Sequence, residues 1–431
     1  MDPVFRAPRG VGGVFVPPSD KSMTHRALML AAVSSGACRI GSPLATGDCV
    51  STRRCLEALG VGFEGADGEL AVRGIGLRGF SEPRGPLFTE NSGTTTRLLS
   101  GLLAGQKFFA VLSGDDSLNG RPMGRVVEPL RAMGARIEGR EGGRFAPLCF
   151  LPGGAELDPL SWDLPVPSAQ VKSSLMLAAL RASGPSTLGG RIDSRDHTER
   201  MLGALGVAIV KKNGKLRIDP VENLPGFEID VPGDLSSAAF FVAAALISGK
   251  ALTIRACGIN PTRCGFLDIA RAMGAMVVVN EESTSLGEPV GTIMVEPGEL
   301  HGARVEPSQV PDLIDEIPLL AVLGLFAHGR TEVRGAEELR FKESDRLAMI
   351  AAMAASLGGH VDLFDDGFSI DGPQALRSAV VDPQGDHRIA MAAAVAAAGI
   401  PDGVRVQGFE CARVSYPDFA RDFTRLGGHV G

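Results

Sequence analysis

Two phrases, repeated in step, constrain this chain more than any other feature. The first is an amphipathic helix end, a glycine and an apolar strand start. It reads CLEALGVGF at 55–63, LRAMGARI at 130–137, MLGALGVAI at 201–209, IARAMGAMV at 269–277, MAASLGGHV at 353–361 and FTRLGGHV at 423–430. The glycines, Gly60, Gly134, Gly206, Gly274, Gly358 and Gly427, recur about every 70 residues. Glycine suits the left-handed position that stops a helix. The second phrase is an apolar helix ending in a small turn: RALMLAAVSSG, TRLLSGLLAG, SSLMLAALRASG, AAFFVAAALISG, LLAVLGLFAHG and IAMAAAVAAAG. Short strand-like runs such as FFAVLSG, ALTIRA and TEVRGA lie between. Isolated Leu-Gly turns are common in α/β proteins. Turns in register with apolar helices, unit after unit, describe a repeat. The repeats divide into two domains of three. The expected crossover is VPGDLSS at 231–237, whose counterpart near the start is VPPSDKS at 16–22. The domains expected are 21–231 and, together, 1–20 with 232–431.

Composition narrows the function. With 431 residues and 44% hydrophobic content the chain can bury two large cores. A net charge of −7 argues against nucleic acid as the main partner, which needs a basic face. An anion site must then be a local basic cluster in an acidic protein. The seven cysteines form no CxxC pair, which fits free thiols in a reducing compartment. MDPVFRAPRG has no apolar signal region, and no run reaches the roughly 18 apolar residues of a membrane span. A cytoplasmic protein is expected.

The charged residues cluster where the apolar helices begin. In PPSDKSMTHRALMLAAVSSG (Pro17–Gly36), Ser19 or Asp20 can cap a helix whose first two turns carry Lys21 and Arg26. Cations at the positive end of a helix are mildly unfavourable unless an anion binds among them. The pattern recurs. ENSGTTTRLL offers Asn91 as cap, then Arg97, around three threonines that are poor helix formers. PSAQVKSSLMLAAL brings Ser168, Gln170 and Lys172, and NGRPMGRVVEPL brings Arg121. FKESDRLAMI carries Lys342, Glu343, Asp345 and Arg346, and GDHRIAMAAA carries Asp386, His387 and Arg388. PDLIDEIPLLAV opens on acids instead, Asp312, Asp315 and Glu316. If the apolar helices of each domain run parallel, their starts share one end, and two such ends facing each other make a basic cleft. Guanidinium forks suit small, multiply anionic ligands. Asp315 and Glu343 would serve no purpose in a pure anion trap and are better placed for proton transfer. Of the histidines only His25, His197 and His387 fall in these motifs, without HExxH or a Cys/His set, so no metal is expected. GxSxG and P-loop signatures are absent, and the phrase GGVFVP near the start lacks the GxGxxG form.

At these residues the chain resembles the 5-enolpyruvylshikimate-3-phosphate synthase family. DKSxxHR, NSGTTxR, GRPM, SAQVKS, SRDHTER, IDE, KESDR and DHR occur in family order over essentially the whole length. The resemblance implies two inside-out α/β domains, each of three βαβαββ repeats, with the active site in the interdomain cleft. It implies transfer of the enolpyruvyl group of phosphoenolpyruvate to the 5-hydroxyl of shikimate 3-phosphate, without metal or organic cofactor, by a monomer with no nucleic-acid or membrane partner. Carried over by motif, Lys21, Ser22 and Arg26 grip shikimate 3-phosphate, and Lys21 also touches phosphoenolpyruvate. Ser168, Ala169, Gln170 and Arg195 contact the phosphate and ring. Gly93, Arg121, Gln170, Arg346 and Arg388 match the phosphoenolpyruvate pocket. Asp315 and Lys342 match the partners of the attacking hydroxyl, and Glu343 the residue that moves a proton at the methylene carbon. In the family the glycine matching Gly93 also lies against the inhibitor glyphosate, which is longer than phosphoenolpyruvate.

One departure stands out. Many members carry a lysine three residues before the proline of a late K-x-F-P phrase. Here the phrase is Val414-Ser415-Tyr416-Pro417, preceded by Arg413. Two other readings stay open at this level. The sister enzyme that transfers enolpyruvate to UDP-N-acetylglucosamine usually has a cysteine in the loop matching Asp115–Met123; DDSLNGRPM has none. A non-catalytic anion-binding repeat protein would need the cations but not Asp315 and Glu343.

Overall fold

The computed structural model describes residues 2–66, 68–154 and 156–431. They form two compact units. The first comprises Ser19–Val231 with Thr284–Glu288; the second comprises the chain up to Pro18, Pro232–Ser283 and Pro289–Gly431. Ser19, Asp20 and the short segment 284–288 thus count with the unit that holds residues 21–231.

Each unit is built from four-stranded sheets with one shared plan. In the first unit, strand Ser161–Leu164 runs into helix Ala169–Ala179 and then into strand Ser186–Gly190, parallel to the first. A second helix, His197–Ala204, leads to the antiparallel pair Ile209–Lys212 and Lys215–Ile218. This is a βαβαββ unit, and the sheets built on Ala37–Gly41 and Ala110–Ser113 repeat it. Strand Glu228–Asp230 returns from the end of the third repeat to lie parallel to Ala37–Gly41 in the first. In the second unit the plan recurs on Leu252–Gly258, Gly329–Val333 and Val404–Val406. There the N-terminal chain supplies missing strands. Gly13–Phe15 pairs in parallel with Leu252–Gly258, and Val4–Arg6 lies between Val404–Val406 and His429–Val430.

The layering is inside-out because of the two helix types. Helices apolar all round must be buried. Every residue from Met23 to Val33 is buried in the first unit, as is every residue from Leu235 to Leu246 in the second. Strands alternate instead, as Glu69–Arg73 does, with one face on the core and one in water. Each unit has its own hydrophobic core. The six repeat glycines all take positive φ, from +86° at Gly358 to +110° at Gly427. That conformation closes each amphipathic helix and turns the chain into the next strand. No helix among the described residues is long and apolar enough to cross a membrane.

Candidate active site

In the first unit the site residues stand at the starts of buried helices. The Asp20 side chain caps helix Lys21–Val33, accepting from the Met23 N–H at 2.8 Å. Lys21 is therefore the first helical residue, and its Nζ lies 3.1 Å from Asp48 Oδ2. Arg26, one turn on and 4% exposed, donates to Thr198 Oγ1 and Ser173 Oγ, both at 2.8 Å, and to the Ser22 carbonyl at 3.0 Å. Burial pushes its pKa down to about 10, against the pull of Glu199, Asp20 and Glu288, so it stays a cation at neutral pH. His25 on the same helix is wholly enclosed. Burial drives its pKa down to about 3 despite Asp48, and Lys21 and Arg26 push the same way, so it is neutral. Its Nδ1 meets Thr52 Oγ1 at 2.7 Å, and Thr52 passes the chain of hydrogen bonds to Thr95 Oγ1 at 2.6 Å. Buried hydroxyl partners of this kind explain why threonines sit at the start of helix Gly93–Leu103. Thr95 bonds the Ser92 hydroxyl, and Thr96 bonds the Ser92 carbonyl and the Thr89 hydroxyl.

The cap of that helix is Ser92, not Asn91: Ser92 Oγ accepts from the Thr95 N–H at 3.1 Å. Asn91 is drawn away by charge. Its Nδ2 donates to Asp115 at 2.8 Å, and its Oδ1 accepts from Arg121 Nη2. Arg121 is 9% exposed, and its buried Nε has no hydrogen-bond partner among the described residues. Gly93 stands beside it without needing glycine's dihedral freedom, since its φ is not positive. Space is the constraint: a Cβ there would stand 2.8 Å from Arg97 Nη1 and 3.4 Å from Arg121 Nη1. Arg97 reaches Gln170 Oε1 at 2.5 Å, and Gln170 Nε2 donates to Thr94 Oγ1 at 2.9 Å. Ser168 caps helix Ala169–Ala179, so Ser168, Ala169 and Gln170 all lie at its start, each half-buried. Arg195, in the turn before helix His197–Ala204, is close enough to Arg26 to oppose its charge.

The second unit gathers the remaining residues around acids. Arg346 is 1% exposed and opens helix Arg346–Ser356 behind the cap Asp345. Its Nε donates to Asp386 Oδ2 at 2.8 Å and its Nη2 to Glu343 Oε2 at 2.5 Å; its Nη1 lies 3.5 Å from Asp315 Oδ1. Burial alone would lower its pKa, but Glu343, Asp386 and Asp315 together raise it above the ordinary arginine value. Burial likewise opposes the Asp386 charge, yet Arg346 holds that carboxyl below its usual range. Asp386 also caps the helix His387–Ala396 that carries Arg388. Lys342 Nζ stands 3.7 Å and Arg388 Nη2 3.8 Å from the Asp315 carboxylate. Arg413 is exposed and Val414 half-buried in the segment Phe409–Val414.

The structure thus brings Gly93, Arg121 and Gln170 together around Arg97, sets Arg26 against the helix that Ser168 begins, and gathers Lys342, Glu343, Arg346 and Arg388 around Asp315. Lys172 turns inward instead of joining an exposed basic surface. Partners that sequence reasoning missed are Asp48, Ser173, Thr198 and the buried pair His197 Nδ1–Glu288 Oε1, 2.7 Å apart. Asp48 looks like an ordinary acid at a helix start. No cluster able to hold a metal ion occurs among the described residues.

This architecture is that of the enolpyruvyl transferases. The enolpyruvyl transferase NikO from Streptomyces tendae shares the fold at 18% identity, with a TM-score of 0.76 over 100% of this chain and 98% of that one. Within that class the chain belongs to the EPSP synthase (3-phosphoshikimate 1-carboxyvinyltransferase) family, whose model matches residues 6–423. The structure of EPSP synthase from Acinetobacter baumannii superposes with a TM-score of 0.88 at 36% identity, covering both chains fully. The 3-phosphoshikimate 1-carboxyvinyltransferases of Roseiflexus castenholzii and Desulforudis audaxviator are 46% and 44% identical; each match spans 97% of this chain, and 98% and 97% of those relatives. The chain transfers the enolpyruvyl group of phosphoenolpyruvate to shikimate 3-phosphate, a step of the shikimate pathway to the aromatic amino acids.

Proposed function

We propose that the two clusters act together on one substrate pair. Lys21, Ser22, Arg26, Ser168, Ala169, Gln170 and Arg195 hold shikimate 3-phosphate, joined by Asp315 and Lys342 at its attacking hydroxyl. Lys21, Gly93, Arg121, Gln170, Arg346 and Arg388 hold phosphoenolpyruvate. Glu343 moves the proton at the methylene carbon, with Asp315 and Lys21 as the other catalytic groups. Protonation of that carbon creates cationic character at C2, and the acceptor hydroxyl attacks there. The tetrahedral intermediate then expels phosphate and loses a proton to give the enolpyruvyl ether. Water must be kept out while the cationic carbon is exposed to attack. The units of the fold are the two functional domains, and the protein works as a cytoplasmic monomer without a cofactor.

The observation that carries this reading is the company kept by Asp315. Lys342, Arg346 and Arg388 all approach its carboxylate within 3.8 Å, while Glu343 is bonded to Arg346. Cations built only to trap an anion gain nothing from carboxylates that neutralise them. Cations that orient both substrate oxygens and proton-transfer groups need them. The UDP-N-acetylglucosamine alternative is disfavoured by the cysteine-free loop Asp115–Met123. Phosphate release from phosphoenolpyruvate, followed with each acceptor in turn, tests the reading. Release is expected with shikimate 3-phosphate alone. Release driven by UDP-N-acetylglucosamine, or with neither acceptor, would sink it.

A further inference from the structure

The turn that carries Arg195 is held from inside by one side chain. Lys172 lies on helix Ala169–Ala179, just beyond Ser168, Ala169 and Gln170, and is 2% exposed. An ammonium has three N–H donors. This one meets three acceptors: the Ile192 carbonyl at 3.1 Å, the Ser194 carbonyl at 3.0 Å and Glu199 Oε1 at 2.6 Å. The two carbonyls belong to the stretch leading into Arg195, and Glu199 to the helix that follows it. Ser173, the next residue, does the same for Arg26. Its hydroxyl accepts from Arg26 Nη2 at 2.8 Å and meets Thr198 Oγ1 at 2.6 Å, which in turn takes Arg26 Nε. Neighbouring residues of one helix therefore fix two cations. A methionine would fill the same space without the cost of burying a charge. What only the ammonium supplies is three fixed directions, two of them onto the backbone beside Arg195.

We infer that Lys172 is a positioning residue for phosphate recognition: it sets where Arg195 stands relative to Ser168, Ala169 and Gln170, and so how strongly the site prefers shikimate 3-phosphate to unphosphorylated shikimate. The inference rests on the reading of Arg195 as a phosphate ligand. Lys172→Met removes the donors but leaves the half-buried Glu199 carboxylate without its ammonium partner. Lys172→Met/Glu199→Gln removes that charge as well. Melting temperature and steady-state kinetics with phosphoenolpyruvate and each acceptor separate packing from positioning. The single variant loses thermal stability. The double variant regains most of it, yet keeps a KM for shikimate 3-phosphate raised at least about tenfold and a preference over shikimate reduced by a similar factor, with the phosphoenolpyruvate KM within about twofold. A stable double variant with the original KM and preference overturns the inference, and so does an equal rise in both substrates' KM values. Should the methionine variants fail to fold, Lys172→Gln keeps a donor but not the three-way grip, and an unchanged preference there overturns it equally. Arg195→Ala tests the underlying reading apart from Lys172: an unchanged shikimate 3-phosphate KM would remove Arg195 as a ligand.

Discussion

At the scale of single residues, Gly93 shows how a missing side chain can shape a pocket. Its backbone is one any residue could adopt, so the constraint is what lies beyond it. An added methyl would press on the meeting point of the Arg97 and Arg121 guanidinium groups. Overpacking of this kind costs roughly 1–3 kcal/mol. A longer ligand has less room to give way than a shorter one. Gly93→Ala is therefore expected to raise the glyphosate inhibition constant by roughly ten- to a hundredfold, with a smaller rise in the phosphoenolpyruvate KM. Inhibition curves on both proteins check this, and an unchanged constant would mean that Gly93 does not line the pocket. In the sequence, Lys21, Arg26, Arg121 and Glu343 stood out as charged residues at or near helix starts, and Gly93 through the family resemblance. Their partners did not. Arg26 finds Thr198 across 172 residues and Ser173 across 147, and no periodicity in the chain announces a pairing that distant.

At the scale of elements, a buried chain of hydrogen bonds ties the starts of two apolar helices of the first unit, Lys21–Val33 and Gly93–Leu103, through the amphipathic helix Asp48–Ala58. His25, Thr52, Thr95 and Ser92 link three helices in turn. The neutral imidazole makes this link sensitive to acid. Unfolded histidine titrates near about 6.5, whereas burial holds His25 at about 3 with Lys21 and Arg26 adding to the effect. Between those values the unfolded chain binds a proton that the folded chain refuses. The contribution is fully present above about pH 6.5 and is lost as pH falls toward 3. From pH 7 to pH 5 the loss is about 2 kcal/mol. Chemical denaturation at both values should show it, and His25→Asn should flatten the dependence. Equal slopes in the two proteins would mean that the folded state does not exclude the proton. The sequence predicted the apolar helices well, because an all-apolar segment can only be buried. It misplaced one cap: Asn91 and Ser92 are both good capping residues, and the choice fell to Arg121 and Asp115, which hold Asn91 elsewhere.

At the scale of the whole molecule, the repeat carries most of the fold. Helix-ending glycines at positive φ and buried apolar helices recur in register along the chain. The segment Thr284–Glu288 was not legible. EESTSLG reads as a solvated hairpin turn, yet Glu288 is 1% exposed and bonded to His197 within the first unit. A buried acid beside a polar turn gives no signal until its histidine is placed. The central claim is chemical: in the proposed reading Glu343 protonates the methylene carbon of phosphoenolpyruvate before phosphate leaves. Turnover in deuterium oxide, stopped early and analysed by NMR, tests that order directly. Transient protonation predicts deuterium in the methylene group of product and recovered phosphoenolpyruvate, and Glu343→Gln should slow its appearance roughly a hundredfold or more while shikimate 3-phosphate still binds. Deuterium-free product from the unaltered protein, or unchanged exchange in the variant, would contradict the account.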